Sequence, residues 1–178
     1  MKSYSDPIFK VAAVQMVSGP TVSANLEAAR GLIAEAARQG ARLVSVPEYF
    51  CIFGMRERDK VQVREPDGAG PIQQFLADIA KELGIWIVGG SVPLVCSDPG
   101  KVMNSCLVYN ESGERVARYD KIHLFGFATE TERYQESGTI EAGTAPVALD
   151  SPFGRLGLSI CYDVRFPALY RALGQAGA

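Results

Sequence analysis

Glu48, Lys121 and Cys161 are the side chains whose types and positions could do chemistry together. Glu48 directly follows the apolar run LVSVP, Lys121 ends RVARYDK, and Cys161 follows LGLSI ahead of a helix-compatible segment. Sheets of α/β proteins build their sites at the carboxyl ends of strands. A carboxylate, an amine and a thiol at three successive strand ends form a nucleophilic set. Taken singly, none of the three is specific. Free cysteines are among the most buried residue types, and Cys51, Cys96 and Cys106 fit that structural description. Glu48 alone reads as a solvated loop acid and Lys121 alone as a surface lysine.

The elements that must position this set follow from periodicity. FKVAAVQM (Phe9 to Met16) is an apolar, β-compatible run. SANLEAARGLIAEAARQG places Leu26, Ala29, Ile33 and Ala36 at helical spacing, with Ser23 as its cap and Gly40 as its stop. ARLVSVPE is a second strand, so the first third reads as a βαβ unit with parallel strands. GPIQQFLADIAKELG predicts an amphipathic helix closed by Gly84, and IWIVGGSV the next buried strand. MNSCLVYNESGERVARYDK predicts a hairpin about NESG. A loop from about Gly126 to Ala145 precedes two more strands, APVALD and GRLGLSIC, and Pro167 opens a final helix. The fold class is α/β, a sheet covered by helices, in a single domain over residues 1–178.

Bulk composition excludes several function classes. Eighteen basic against twenty acidic residues leave a formal charge of -2, which argues against an electrostatic nucleic-acid or anionic-membrane binder. No window approaches the roughly 18 continuous apolar residues of a spanning helix, and MKSYSDPIFKVAAVQM has no apolar run of signal-peptide length. The four cysteines show no CxxC pairing and His123 is the only histidine, a poor inventory for zinc. Free thiols in a reducing, cytoplasmic setting are the expectation.

PEYF around Glu48, YDKIHLFGF around Lys121 and SICYDVRFP around Cys161 together resemble the three signature segments of the nitrilase, or carbon–nitrogen hydrolase, superfamily. They stand in that family's order and at similar separations, and the likeness runs from VAAVQM to the last residue. The wording around Cys161, with YQESGTIEAG, is most similar to the branch that includes omega-amidases and the amidases of deaminated glutathione. The resemblance implies a four-layer α-β-β-α sandwich, of which these residues would be the N-terminal two-thirds, incomplete at the C-terminus.

The resemblance also implies roles. Cys161 would attack an amide or nitrile carbon to form a thioester, Glu48 would be the base, and Lys121 would hold the oxyanion alongside the Tyr162 backbone N–H. Glu136 matches the family's additional carboxylate, orienting Lys121 or the substrate, with Glu132 and Glu130 as weaker candidates and a solvated acidic loop as the plain alternative. His123 would brace its loop. Arg165 is either a clamp for a substrate carboxylate or a structural partner of Asp163 or of a loop carboxylate, and Tyr49 and Phe127 would line the pocket by adjacency. No cofactor is implied. The partner is a small-molecule amide, and the full-length protein would be a homo-oligomer. A nitrilase or an N-carbamoyl-amine hydrolase would use the same residues, and a non-catalytic binding protein could share the scaffold.

Overall fold

The computed structural model describes residues 8–178, so the first seven residues of the N-terminal reading lie outside the described residues. The strand expected over Phe9 to Met16 is shorter, β1 Lys10–Ala13. α1 (Val22–Arg38) follows, then β2 (Ala41–Ser45), which pairs parallel with β1. Ser23 is not the cap: the N-cap is Thr21, whose side chain makes no capping bond. The helix start is pinned instead by the buried amide of Asn25, which accepts from Gly19 N (2.8 Å) and donates to Gly19 O (2.8 Å) and Cys51 O (3.0 Å). Those bonds lock α1 to the chain just beyond Glu48.

A short α2 (Asp59–Gln62) leads to α3 (Pro71–Leu83), which ends at Gly84 in the left-handed region. The buried carboxylate of Glu65 accepts from Ile72 N (2.5 Å) and Gln73 N (3.0 Å), supplying negative charge at the helix start where unpaired N–H groups gather. The expected strand IWIVGGSV is two strands, β3 (Trp86–Val88) and β4 (Val92–Val95), broken at the glycine pair. The break has a cause. Gly90 sits at φ 52°, and a Cβ there would collide with the Pro47 carbonyl, the residue before Glu48.

β5 (Val102–Tyr109) and β6 (Arg115–Asp120) form the expected antiparallel hairpin. The segment expected as loop carries β7 (Gly126–Ala128) and β8 (Arg133–Gln135) as a small hairpin, then β9 (Ile140–Glu141), which joins β5 in parallel. The seven-stranded sheet runs β1-β2-β3-β5-β4, with β6 and β9 also on β5. β10 (Ala148–Ser151) and β11 (Gly154–Gly157) pair in a separate two-stranded sheet. The expected strand GRLGLSIC therefore stops at Gly157, because Ile160 N bonds to the Asp163 carboxylate (2.9 Å) instead of a neighbouring strand. A 3-10 turn (Cys161–Arg165) and α4 (Pro167–Gln175) complete the described chain.

Every residue of β5 is buried, and its side chains alternate between two apolar layers. Leu107 joins the core formed with Ile33, Leu76, Ile79 and Ile87 under α1 and α3. Cys106 and Val108 face Trp86, Tyr119, Leu158 and Ile160 on the other side. The sheet is thus covered on one face by helices and on the other by the segment leading to Cys161. Replacing Gly90 with alanine should strain the positive φ and push on the Pro47 carbonyl, destabilising the protein by about 2 kcal/mol or more in chemical denaturation.

Candidate active site

Glu48 lies on a tight turn after β2. Val46 N bonds to Val88 O (3.0 Å), Phe50 N to Pro47 O (3.2 Å), and Tyr49 N to the Ser91 hydroxyl (2.9 Å). Tyr49 is held at φ 55° by this arrangement. Lys121 directly follows β6. Its backbone is fixed from both sides, N to Asn104 O (2.9 Å) and O from Gly143 N (2.8 Å). Its side chain is fully buried.

The Lys121 ammonium donates to Glu48 Oε1 (3.0 Å) and lies 3.1 and 3.0 Å from the two Glu136 oxygens. Asn104 Nδ2 donates to the same Glu48 Oε1 (2.9 Å), so both donors converge on one oxygen and neither holds the other. Glu136 is buried, and its Oε2 accepts from Phe125 N (2.7 Å). Burial alone would lower the Lys121 pKa. The two carboxylates outweigh it and hold the ammonium above the ordinary lysine value.

Cys161 opens the 3-10 turn at φ 49°. Cys161 and Tyr49 are the two non-glycine residues with positive φ among the described residues, and both lie at this site. Such backbone persists only where its surroundings over-determine it. Here the surroundings are the fully buried Asp163. Its carboxylate accepts from Ile160 N (2.9 Å), His123 N (3.0 Å) and the Tyr119 hydroxyl (2.6 Å), and contacts His123 Nδ1 (2.7 Å). The His123 ring stacks on Phe166 at 3.6 Å. One carboxylate thus ties the cysteine turn to the lysine loop.

The Cys161 thiol is pushed above the ordinary value, first by desolvation, although the residue as a whole is exposed, and then by the Glu48 charge; Lys121 opposes the shift. That shift favours the protonated thiol over a standing thiolate. Glu48, Glu136 and Lys121 sum to one negative charge, and a free thiolate would make it two. Passing the thiol proton to Glu48 leaves the sum unchanged, which is the electrostatic case for a general base rather than a standing ion pair.

The remaining expected residues fall into place differently. Tyr162 follows Cys161, and its N–H is not used by the turn's own bond, which runs from Asp163 N to Ile160 O (3.1 Å). Arg165 is exposed at the end of the turn, and Asp163 is satisfied by other donors, so the Arg165–Asp163 partnership does not form. Glu130 and Glu132 are exposed beside the β7–β8 hairpin, away from Lys121's ion pairs. Tyr49 and Phe127 line one cavity of about 350 Å³ with Phe125, Tyr134 and Lys60. Among the described residues, no group of three His, Cys, Asp or Glu side chains is placed to hold a metal ion.

The carbon-nitrogen hydrolase family matches residues 10–178. This chain belongs to that family. It is 41% identical over 174 residues to a deaminated glutathione amidase of Synechocystis sp., spanning 96% of this chain and 63% of the relative. It is 37% identical over 171 residues to the omega-amidase NIT2 of Homo sapiens, spanning 95% and 60%. The chain therefore spans about three-fifths of the length of these curated relatives. Among solved structures, Saccharomyces cerevisiae Nit3, a member of the nitrilase superfamily, superposes with a TM-score of 0.82 at 31% identity, over 96% of this chain and 61% of that one. An amidase from Nesterenkonia sp. gives 0.76 at 30%, over 92% and 59%. The fold is that of the nitrilase superfamily.

Sequence reasoning missed Asn104 and Asp163. A polar amide inside the fully buried strand VMNSCLVY was the available signal for the first. The state of the thiol is measurable. Alkylation of Cys161 by iodoacetamide should inflect above the ordinary thiol value, and Glu48→Gln, removing a charge that raises it, should move the inflection down. An inflection below the ordinary value in the unmodified protein would contradict the geometry.

Proposed function

We propose that the intact protein hydrolyses the C–N bond of a small linear amide through a thioester on Cys161, releasing ammonia and a carboxylic acid. The observation that carries this reading is the buried Lys121 clamped between Glu48 and Glu136, with a thiol whose ionisation answers to Glu48 and Lys121. Glu48 accepts the thiol proton as sulfur attacks the carbonyl carbon. The oxyanion is held by the Lys121 ammonium and the Tyr162 N–H. Glu48 then returns the proton to the departing nitrogen, ammonia leaves and the thioester remains. Water, deprotonated by Glu48, attacks the thioester; collapse expels the thiolate, which recovers its proton.

In this reading Glu136 positions Lys121 rather than transferring protons, because both its oxygens lie within 3.1 Å of the ammonium and one is also bound by Phe125 N. Tyr49 and Phe127 form walls of the acyl-side cavity. Arg165, exposed in this arrangement, is the least supported of the substrate-binding residues. The amidase names of the similar proteins favour an amide over a nitrile or an N-carbamoyl amine. Association with a second copy is part of the same reading, supported by the exposed Val164 and Tyr170 beside the cysteine turn. A reducing cytoplasmic setting is supported by the free thiols of Cys51, Cys96, Cys106 and Cys161.

Ammonia release by the full-length protein from omega-amides, nitriles and N-carbamoyl amino acids should be greatest for the amides. Cys161→Ala should lower it by at least about 10³-fold, while Cys51→Ala should leave it near the parent rate. Electrospray mass spectrometry after substrate trapping should find an acyl adduct on the Cys161 peptide. Survival of activity in Cys161→Ala would sink the mechanism and favour a binding protein on this scaffold.

A further inference from the structure

Asn104 is a polar side chain where the fold has little room for one. It is 1% exposed in β5, whose eight residues are all buried. Its backbone is held on both sides: its carbonyl accepts from Lys121 N (2.9 Å), and Pro93 of β4 stands opposite it in the antiparallel register. Its amide is only half satisfied. Nδ2 donates to Glu48 Oε1 (2.9 Å), whereas Oδ1 is buried and meets no donor among the described residues. Leaving a buried carbonyl unpaired costs free energy that an apolar side chain of the same size avoids. Turning the amide over brings no relief, because it would set Oδ1 against the Glu48 carboxylate, acceptor against acceptor. What this position supplies is one N–H aimed at one oxygen of the base.

The two Glu48 oxygens are therefore unlike. Oε1 receives Asn104 Nδ2 at 2.9 Å and the Lys121 ammonium at 3.0 Å, while no protein N–H or O–H among the described residues reaches Oε2. Hydrogen bonds favour charge on the oxygen that accepts them, so a proton arriving at this carboxylate goes to Oε2. The last torsion of a glutamate is soft and nearly two-fold, and a single donor would let the oxygens exchange. Two donors from different elements, one on β5 and one after β6, fix the plane. Glu48 also keeps 21% of its side-chain surface exposed, against 0% for Lys121 and 6% for Glu136, so it is the charged group that thiol and water can approach.

We infer that Asn104 is a positioning residue for the base: with Lys121 it holds Oε1 out of the chemistry, so that Glu48 Oε2 carries every proton the reaction moves. The inference deepens the amidase reading and rests on it. In acylation the S–H bond of Cys161 breaks as sulfur bonds the carbonyl carbon, and the proton passes to Oε2. The same oxygen returns it to the nitrogen as the C–N bond breaks and ammonia leaves. In deacylation Oε2 takes a proton from water as the water oxygen bonds the thioester carbon, and gives it to the departing sulfur. Asn104 touches no reacting atom. Removing its N–H frees the carboxylate to turn.

Kinetics of the full-length protein test this with one acyl group carried as a primary amide and as a p-nitrophenyl ester. Nitrophenolate departs without a proton, so acylation by the ester uses Oε2 once rather than twice. Asn104→Leu should lower kcat on the amide by at least about tenfold and leave KM within about twofold, as for a group that acts only on proton transfer. The acylation burst on the ester should slow by less, with its amplitude near one nitrophenolate per site, which reports a folded protein. Asn104→Asp keeps the shape of the amide and removes its donor; it should lose at least as much on the amide, and it decides the question if leucine disrupts β5. In a Glu48→Gln background, read on the ester burst, Asn104→Leu should cost less than about twofold further, because it acts through that carboxylate. Equal losses on amide and ester, the same loss with and without Glu48, or full amide activity in Asn104→Asp would overturn the inference. A parent protein that turns over the ester but no amide would sink the amidase reading alone. Asn104→Leu should then still slow steady ester turnover, limited by water attack through Oε2, by about tenfold, and no slowing would overturn the inference. Turnover of neither substrate by the parent would sink both.

Discussion

One buried ammonium organises this protein. Lys121 has no exposed side-chain surface, and its charge is tolerable only because Glu48 and Glu136 approach it from opposite sides of the sequence, 73 and 15 residues away. Removing both carboxylates would leave an unpaired cation in a desolvated place, where the penalty is several-fold larger than at a surface. Much of the surrounding structure serves to bring these three groups together. The strand break at Gly90 lets the Glu48 turn approach the sheet, β5 presents Asn104 to both Glu48 and the Lys121 backbone, and the short turn after β8 carries Glu136 inward.

The second organising group is a carboxylate that carries no reacting atom. Asp163 gathers donors from β6, from the lysine loop and from the residue before Cys161. It makes the left-handed backbone of Cys161 affordable and sets the thiol relative to Lys121. Lys121 and Asp163 are thus complementary anchors: a cation fixed by acids and an acid fixed by neutral donors and a histidine.

The sequence carried the charged framework well. Apolar periodicity located α1, α3, β2 and the β5–β6 hairpin, because each buries a regular face. Strand-end reasoning placed Glu48 and Lys121 correctly, but Cys161 for a different reason than supposed. It follows an irregular segment after β11 rather than a strand, since Asp163 takes the hydrogen bond of Ile160 that a ladder would have used. The cap of α1 was misread: the N-cap is Thr21, and the helix start is held by Asn25 through Gly19 and the distant Cys51. Arg165 stood open between a substrate clamp and a structural partner, and Asp163 is taken by competing donors, Tyr119 and His123, from 40 or more positions earlier. Local pattern reports local bonds; the groups that tune this site are joined across the chain.

The crowding of β5 has a consequence for how the site comes into being. That strand pairs with β3, β4, β6 and β9, and its partners supply or abut nearly every charged group described above. Closing the 73-residue separation between Glu48 and Lys121 costs chain entropy that local contacts cannot repay. β5 lies between β3 and β6 in the sheet, so the pairing of Glu48 with Lys121 depends on β5 being in place. Any change that weakens the pairing of β5 with its neighbours would therefore be felt at the site, far from the residues changed.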